Sequence, residues 1–303
     1  MDAPLRVVLD TDAFNEVDDQ FTLALAALSP GRIKLEACYA APFHNHRSDG
    51  PGDGMEKSFG EIGRVLDLLG TDLGGHVYRG STEWLTHAGR PLRSAATDDL
   101  IARAFASPAP LYVVGIAAAT NLANALLLEP RLRERVRIIW LGGHAYTWPR
   151  TDEFNLRQDP TAARVLFDCG APLIHVPCRD VAGQLRVTAE ELAAALPPDD
   201  PLSVFLQERF NRYLREKGFA SKPLWDVAAL APLLHPEAVT LERVPSPHFS
   251  DDWQWLPPDQ QRHVIEVMTS LQPAPILVGL FRTLASSASR RRAGLPVSRS
   301  CHP

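Results

Sequence analysis

Cysteine is scarce in this sequence and never clustered. Cys38, Cys169, Cys178 and Cys301 are scattered through 303 residues with no C-x-x-C pair. That argues against a disulfide-stapled scaffold and a structural zinc site, and it fits a reducing compartment. Long apolar runs are missing too. The longest, "APILVGLF" at 274–281, falls far short of the ~20 residues that span a bilayer. The opening "MDAPLRVVLD" lacks the charged segment and apolar stretch of a secretory leader. There is no basic excess: the net charge is −5, which leaves no electrostatic footprint for nucleic acid. The one dense basic run, Arg290 to Arg292, reads as a solvated helix end. Internal repeats and low-complexity linkers are absent. Together these absences predict a soluble cytoplasmic protein with neither a nucleic-acid nor a membrane partner.

What is present is an ordinary globular composition, 45% hydrophobic and 22% charged, arranged in a regular alternation. Short β-rich runs at 5–10, 32–40, 111–117, 135–143 and 172–177 are separated by helix-period segments. After the first run, Val17, Phe21, Ala24, Leu25 and Leu28 fall at helical spacing; 54–70, 120–130 and 159–170 are further helices. This pattern predicts an α/β fold with an open, mostly parallel, doubly wound sheet. Residues 1–290 are expected to form one domain and 291–303 a flexible tail. In such sheets, ligands bind outside the carboxyl ends of the strands. Four polar loops leave strands on that rim: 10–19, 41–45, 115–121 and 142–155.

The first of these loops has an unusual concentration of acid. "VVLDTDAFNEVDDQF" holds Asp10, Asp12, Asp18 and Asp19 within ten positions. An acidic residue at a helix start is ordinary, because the helix dipole favours negative charge there. That accounts for Asp18 or Asp19 and leaves Asp10 and Asp12 unexplained. Carboxylates crowded together repel unless a cation or shared protons relieve them. A hard divalent cation with oxygen ligands is the economical solution. A D-x-D start also admits a Mg²⁺-dependent phosphohydrolase of haloacid-dehalogenase type with Asp10 as nucleophile. Against it, Phe14 stands where that family has Thr or Val, and no paired downstream acids are evident.

The rest of the chain resembles the nucleoside hydrolases, the inosine–uridine-preferring family and its purine-preferring relatives. Five segments carry the resemblance in order: "LDTD…DD", "APFHN", "VVGIAAATNLANALLLEPRL", "IIWLGGHAYTWPRTDEFNLRQDPTAA" and "LWDVAALAPLLHPEAVTLERVP". The resemblance implies Ca²⁺-dependent hydrolysis of the N-glycosidic bond of ribonucleosides. It implies a metal set of Asp12, Asp19, the Ile116 carbonyl and Asp226, with Asp12 also the general base. Asp18, Asn45, Glu153 and Asn155 become ribose contacts, and Asp10 supports the loop from behind. It further implies a homo-oligomer, dimer or tetramer, and a small-molecule nucleoside as partner.

Two departures stand out. Five residues, Ala13 to Val17, separate Asp12 from the D-D pair where the family has three. An Asn that often precedes the E-F-N motif is also missing; Thr147 to Asp152 occupies its place. At the leaving-group end, Trp225 stands before Asp226 where pyrimidine-accepting relatives carry His. Trp225 is therefore expected to stack on the departing base and favour purines, with packing in the core as its structural alternative. Trp148, Phe43 and Phe14 are candidates for the other wall. Glu16, His44 and His46 are expected to face solvent, and His144 to be structural. A non-catalytic ribose or nucleoside sensor on the same scaffold is the further alternative, motivated by the widened loop.

Overall fold

The computed structural model describes residues 3–86 and 90–293. Its strands are β1 (Leu5–Thr11), β2 (Ile33–Ala40), β3 (Val77–Arg79), β4 (Leu111–Gly115) and β5 (Val136–Leu141). They continue with β6 (Leu173–Val176), β7 (Arg186–Thr188), β8 (Ser221–Pro223), β9 (Val239–Pro245) and β10 (Val264–Leu271). Eight form one sheet in the order β3-β2-β1-β4-β5-β6-β10-β9, and β7 pairs with β8 apart from it. Every pairing in the large sheet is parallel except β10 with β9. The mostly parallel, doubly wound sheet expected from the alternation is what forms.

Both faces are covered, as β1 illustrates. Val7 and Leu9 join one buried cluster and Val8 the other, because successive strand side chains point to opposite faces. The first cluster packs under the helices Asp19–Ala27, Pro51–Leu69, Pro201–Lys217 and Pro273–Arg292. The second packs under Ala95–Phe105, Thr120–Leu128 and Pro160–Asp168.

The expected solvated end and tail are partly corrected. The last helix runs to Arg292. Arg291 pairs with the buried Asp200 at 2.8 Å, and Arg292 with Asp199 at 2.7 Å, so the basic run clamps the Pro201–Lys217 helix from below its N-terminus. The remainder of the expected tail, 294–303, lies outside the described residues. Among the described residues no helix is long and apolar enough to cross a membrane.

The strand order reverses at β1, since β2 and β3 lie on one side of it and β4 and β5 on the other. At such a switch point the loops after neighbouring strands diverge to opposite faces and leave a crevice. One glycine serves this region by close approach rather than by a turn. A Cβ on Gly54 would lie 2.0 Å from the Phe43 carbonyl oxygen, so only glycine lets the Pro51–Leu69 helix dock on the loop after β2.

Candidate active site

The crevice holds a cavity of about 280 Å³. Asp12, Asp18 and Asp19 line it from the loop after β1, Ile116 from the end of β4, and Asp226 from the turn after β8. Glu153, Asn155 and Trp225 complete its walls. Eight of the ten residues that the resemblance assigned a role therefore line one cavity; the informative cases are the ones that differ.

Asp10 and Asn45 are the two that do not reach the cavity wall. Asp10 is fully buried behind it, with Oδ1 accepting from Asn121 Nδ2 at 2.7 Å. A nucleophile must touch its substrate, so the phosphohydrolase reading through Asp10 is overturned by this placement. Asn45 donates to Asn15 Oδ1 at 2.6 Å, and it is Asn15 that faces the cavity. Asp18 occupies the N-cap position of the Asp19–Ala27 helix but makes no capping hydrogen bond. Its carboxylate turns instead toward the residue that the sequence did not advertise.

That residue is Lys222, on β8 and 1% exposed. Its ammonium lies 2.6 Å from Asp18 Oδ1 and 2.8 Å from Glu16 Oε2, and donates to the Pro223 carbonyl at 3.1 Å. Burial opposes its charge, but Asp18 and Glu16 outweigh burial and raise its pKa. The expectation for Glu16 is half met: its side chain is 38% exposed, and it also lines the cavity and pairs with Lys222. Burial acts to raise its pKa, and the Lys222 ammonium more than offsets this, holding the carboxyl below its ordinary value. The five-residue loop is thus folded inward and pinned at Glu16. Gln20 pins it again, donating to the Ala13 carbonyl at 2.6 Å and to Glu61 at 3.0 Å.

One lysine does not neutralise the cluster. Carboxylate oxygens of Asp18, Asp19 and Asp226 all lie within 4.8 Å of one another. Burial pushes Asp19 up to about 7, with the Asp18 charge adding to it and the Thr11 hydroxyl, 2.6 Å away, opposing it. Burial and the charge of Asp19 raise Asp12 well above the usual carboxylate range. Burial and the charges of Asp18, Asp19 and Asp12 do the same to Asp226. Asp12 Oδ2 is buried with no hydrogen-bond partner. Since Lys222 already holds Asp18, the unmatched charge belongs to Asp12, Asp19 and Asp226. An all-oxygen set with an orphaned carboxylate oxygen suits a hard divalent cation, and the donor chemistry therefore fits Ca²⁺.

The facing wall comes from the loop after β5. Glu153 accepts from the backbone N–H groups of Gly143, Asn155 and Leu156 at 2.8, 2.9 and 3.1 Å, so it also caps the short helix Phe154–Gln158. Burial raises its pKa against these three donors. Asn155 Nδ2 donates to the Leu141 carbonyl at 3.0 Å, which ties the amide to the end of β5. His144 lines the cavity, contrary to the purely structural role expected of it. Burial and the nearby Arg179 push it down to about 4, so its ring is neutral at neutral pH. Trp225 packs partly against the core while one part lines the cavity. Phe43 is wholly buried in the core, and Phe14 faces a different groove. Trp148 lies under the Arg179 guanidinium, 4.8 Å from its ring centre.

With this geometry in hand, the comparisons are decisive about kinship. Residues 7–272 match the family model described as inosine-uridine preferring nucleoside hydrolase. The chain belongs to that family. Among curated proteins it is similar to the pyrimidine-specific ribonucleoside hydrolases of Citrobacter koseri, 32% identical over 142 residues, and Shewanella woodyi, 32% identical over 145. Those matches cover 44% and 45% of this chain and 45% and 46% of the relatives, so the chain spans about half the length of the curated relatives it matches.

Solved structures in the family's fold cover far more of it. A purine-preferring ribonucleoside hydrolase from Gardnerella vaginalis is 21% identical with a TM-score of 0.77, covering 93% of this chain and 99% of that chain. A type III effector protein complexed with adenosine diphosphate ribose is 19% identical with a TM-score of 0.68, covering 95% of each. At these identities the likeness is one of fold. Within the family frame, Lys222 is what sequence reasoning passed over. Its only local signal is a lysine four residues before Asp226, which by itself reads as an exposed strand residue.

Proposed function

We propose that this chain is a Ca²⁺-dependent nucleoside N-ribohydrolase that releases free base and ribose. The observation that carries the reading is the convergence of Asp12, Asp19 and Asp226 beneath an open cavity, with unmatched charge and an orphaned oxygen at its floor. Asp12, Asp19, Asp226 and the Ile116 carbonyl would hold the ion. Bound calcium would supply a template for water and the ribose diol and lower the pKa of that water.

The protein's own residues account for the rest. Asp12, whose Oδ2 has no hydrogen-bond partner, would take a proton from water as general base. Asp18 keeps lone pairs for a ribose hydroxyl, because a carboxylate accepts about four hydrogen bonds and Lys222 and the Asp226 N–H use two. Asn155 offers a second N–H and its carbonyl oxygen to the sugar, and Glu153 stands beside it on the same wall. The surrounding carboxylates favour the positive charge that builds on the ribosyl ring as the bond to the base lengthens. Neutral His144 is a poor acid at neutral pH, so base departure rests on stacking against Trp225. This supports a purine preference, since purines offer the larger face and a protonatable imidazole nitrogen. The curated relatives named above are pyrimidine-specific, which makes base choice the sharpest point to test.

The direct experiment is reducing-sugar release from a panel of purine and pyrimidine nucleosides, with and without a calcium chelator. Release that depends on calcium is expected. Nucleoside binding with no ribose released would turn the chain into a sensor on the same scaffold.

A further inference from the structure

The loop that widens the acidic motif has two faces. Asp12, Asn15, Glu16 and Asp18 look into the candidate active-site cavity, while Phe14 faces a second groove of about 600 Å³ that the core residue Val17 also touches. The charge on the two sides is opposite. Arg47, Lys57, Arg209 and Arg212 line the outer groove, and Glu216 is its one carboxylate. This concentration of cations occurs in a chain of net charge −5.

Some of that charge is matched inside the protein. Lys57 pairs with Asp53 at 2.7 Å, Arg47 reaches Glu216 at 3.8 Å, and Arg209 Nη1 reaches Glu61 at 3.1 Å. The remainder is not. Arg209 Nε and Nη2 are buried without a hydrogen-bond partner, and among the described residues Arg212 has no ion pair. Arginine can only donate, so a buried guanidinium with two idle nitrogens calls for an acceptor from outside. Burial lowers the Arg209 pKa and the Glu61 carboxylate opposes this, while the charges of Arg47, Arg64 and Arg212 add to the lowering. The Arg209 guanidinium also lies 5.6 Å from the Phe14 ring centre, which ties the cluster to the loop itself.

We propose that this groove binds a phosphoryl anion between Arg209, Arg212 and Arg47, on the outer side of the loop whose inner side forms the candidate active site. Forked guanidinium groups match phosphate oxygens in pairs, whereas a single carboxylate would leave this many donors idle. Two sources supply such a group: free phosphate, or the phosphate of a sugar phosphate.

Calorimetric titration of the full chain with inorganic phosphate, in calcium-free buffer of fixed ionic strength, tests the site without reference to catalysis. Arg212→Glu, on an exposed side chain, and Arg209→Gln are each expected to weaken phosphate binding by at least about tenfold, the loss of one charge-assisted hydrogen bond. Arg215→Glu makes the same change of net charge on the same helix outside the groove and is expected to leave affinity within about twofold. Circular dichroism checks that each variant is folded. Ribose 5-phosphate binding more tightly than phosphate, and weakening in the same two variants, identifies the sugar phosphate as the better source. Equal affinities identify free phosphate. Absence of phosphate binding in the unaltered chain, or equal weakening by Arg212→Glu and Arg215→Glu, overturns the proposal.

Discussion

Two buried polar clusters in this fold are built on opposite terms. Around His175 every polar atom is answered. Its Nε2–H donates to the Gly142 carbonyl at 2.6 Å, which leaves Nδ1 to accept from the Tyr146 hydroxyl at 2.9 Å. Phe167, Trp255 and Trp140 enclose the ring with centroids 5.3, 5.8 and 6.1 Å away. The carboxylate cluster at the end of β1 is equally buried, yet Asp10 Oδ2 and Asp12 Oδ2 have no partner, and among the described residues Lys222 is the one cation paired with any of the five aspartates. A satisfied buried network rigidifies a fold; an unsatisfied one costs stability unless something else completes it. The first cluster serves structure, and the second is the candidate site.

The largest effect that would break this contrast is at Asp12. Asp12→Asn removes the proposed base while keeping the shape, so kcat is expected to fall by about 10²–10⁴-fold. Its melting temperature should hold or rise in calcium-free buffer, because one repelling charge has gone. A kcat within a few-fold of the unaltered chain in steady-state assays would move Asp12 out of the chemistry.

Next is Lys222→Met, which leaves Asp18 and Glu16 without their cation. Breaking a buried ion pair from one side costs about 3–5 kcal/mol, and urea denaturation should show a loss of that size. Adding Asp18→Asn should restore a good part of it. If the double variant is no better than the single, Lys222 stabilises by packing rather than by charge.

The His175 cluster makes a prediction about pH. Burial pushes His175 down to about 4 from an ordinary value of 6.5, with the bond to the Gly142 carbonyl opposing it. A histidine held neutral is indifferent above its unfolded pKa. Between pH 6.5 and 4 the unfolded chain takes up the proton and the folded chain does not, so stability falls as pH drops through that window. The full loss is about 3 kcal/mol at 1.36 kcal/mol per unit. Denaturation midpoints measured across this range should fall more steeply for the unaltered chain than for His175→Gln. Parallel slopes would remove His175 from the account.

The smallest expected effect separates structure from site within one residue. Trp225 packs against the core and also lines the cavity, and a Cβ on Gly183 would come within 2.8 Å of its ring. If its exposed part stacks on the base, Trp225→Ala should lower kcat/KM for inosine relative to uridine by roughly tenfold, within the ~1–3 kcal/mol of base stacking. An unchanged ratio would assign Trp225 to packing alone.

Much of this was legible in residue order because it is local. Alternating apolar runs and helix-period segments determined the parallel sheet, and a sheet of that kind determined that the loop holding Asp12, Asp18 and Asp19 would sit on its carboxyl rim. Family resemblance extended this to Glu153, Asn155 and Asp226. The antiparallel edge strand β9, with no fully buried side chain and with Thr240, Glu242 and Arg243 exposed, gave too weak a periodic signal to be read. What only the tertiary structure decided are the partners. Lys222 meets Asp18 across 204 positions of sequence, Tyr213 meets Glu16 across 197, and Asn121 reaches Asp10 across 111. A lysine in "SKPLWD" carries no mark of the carboxylates it will neutralise. A charge acts over a few ångströms of space, and only the folded chain sets which residues those ångströms contain.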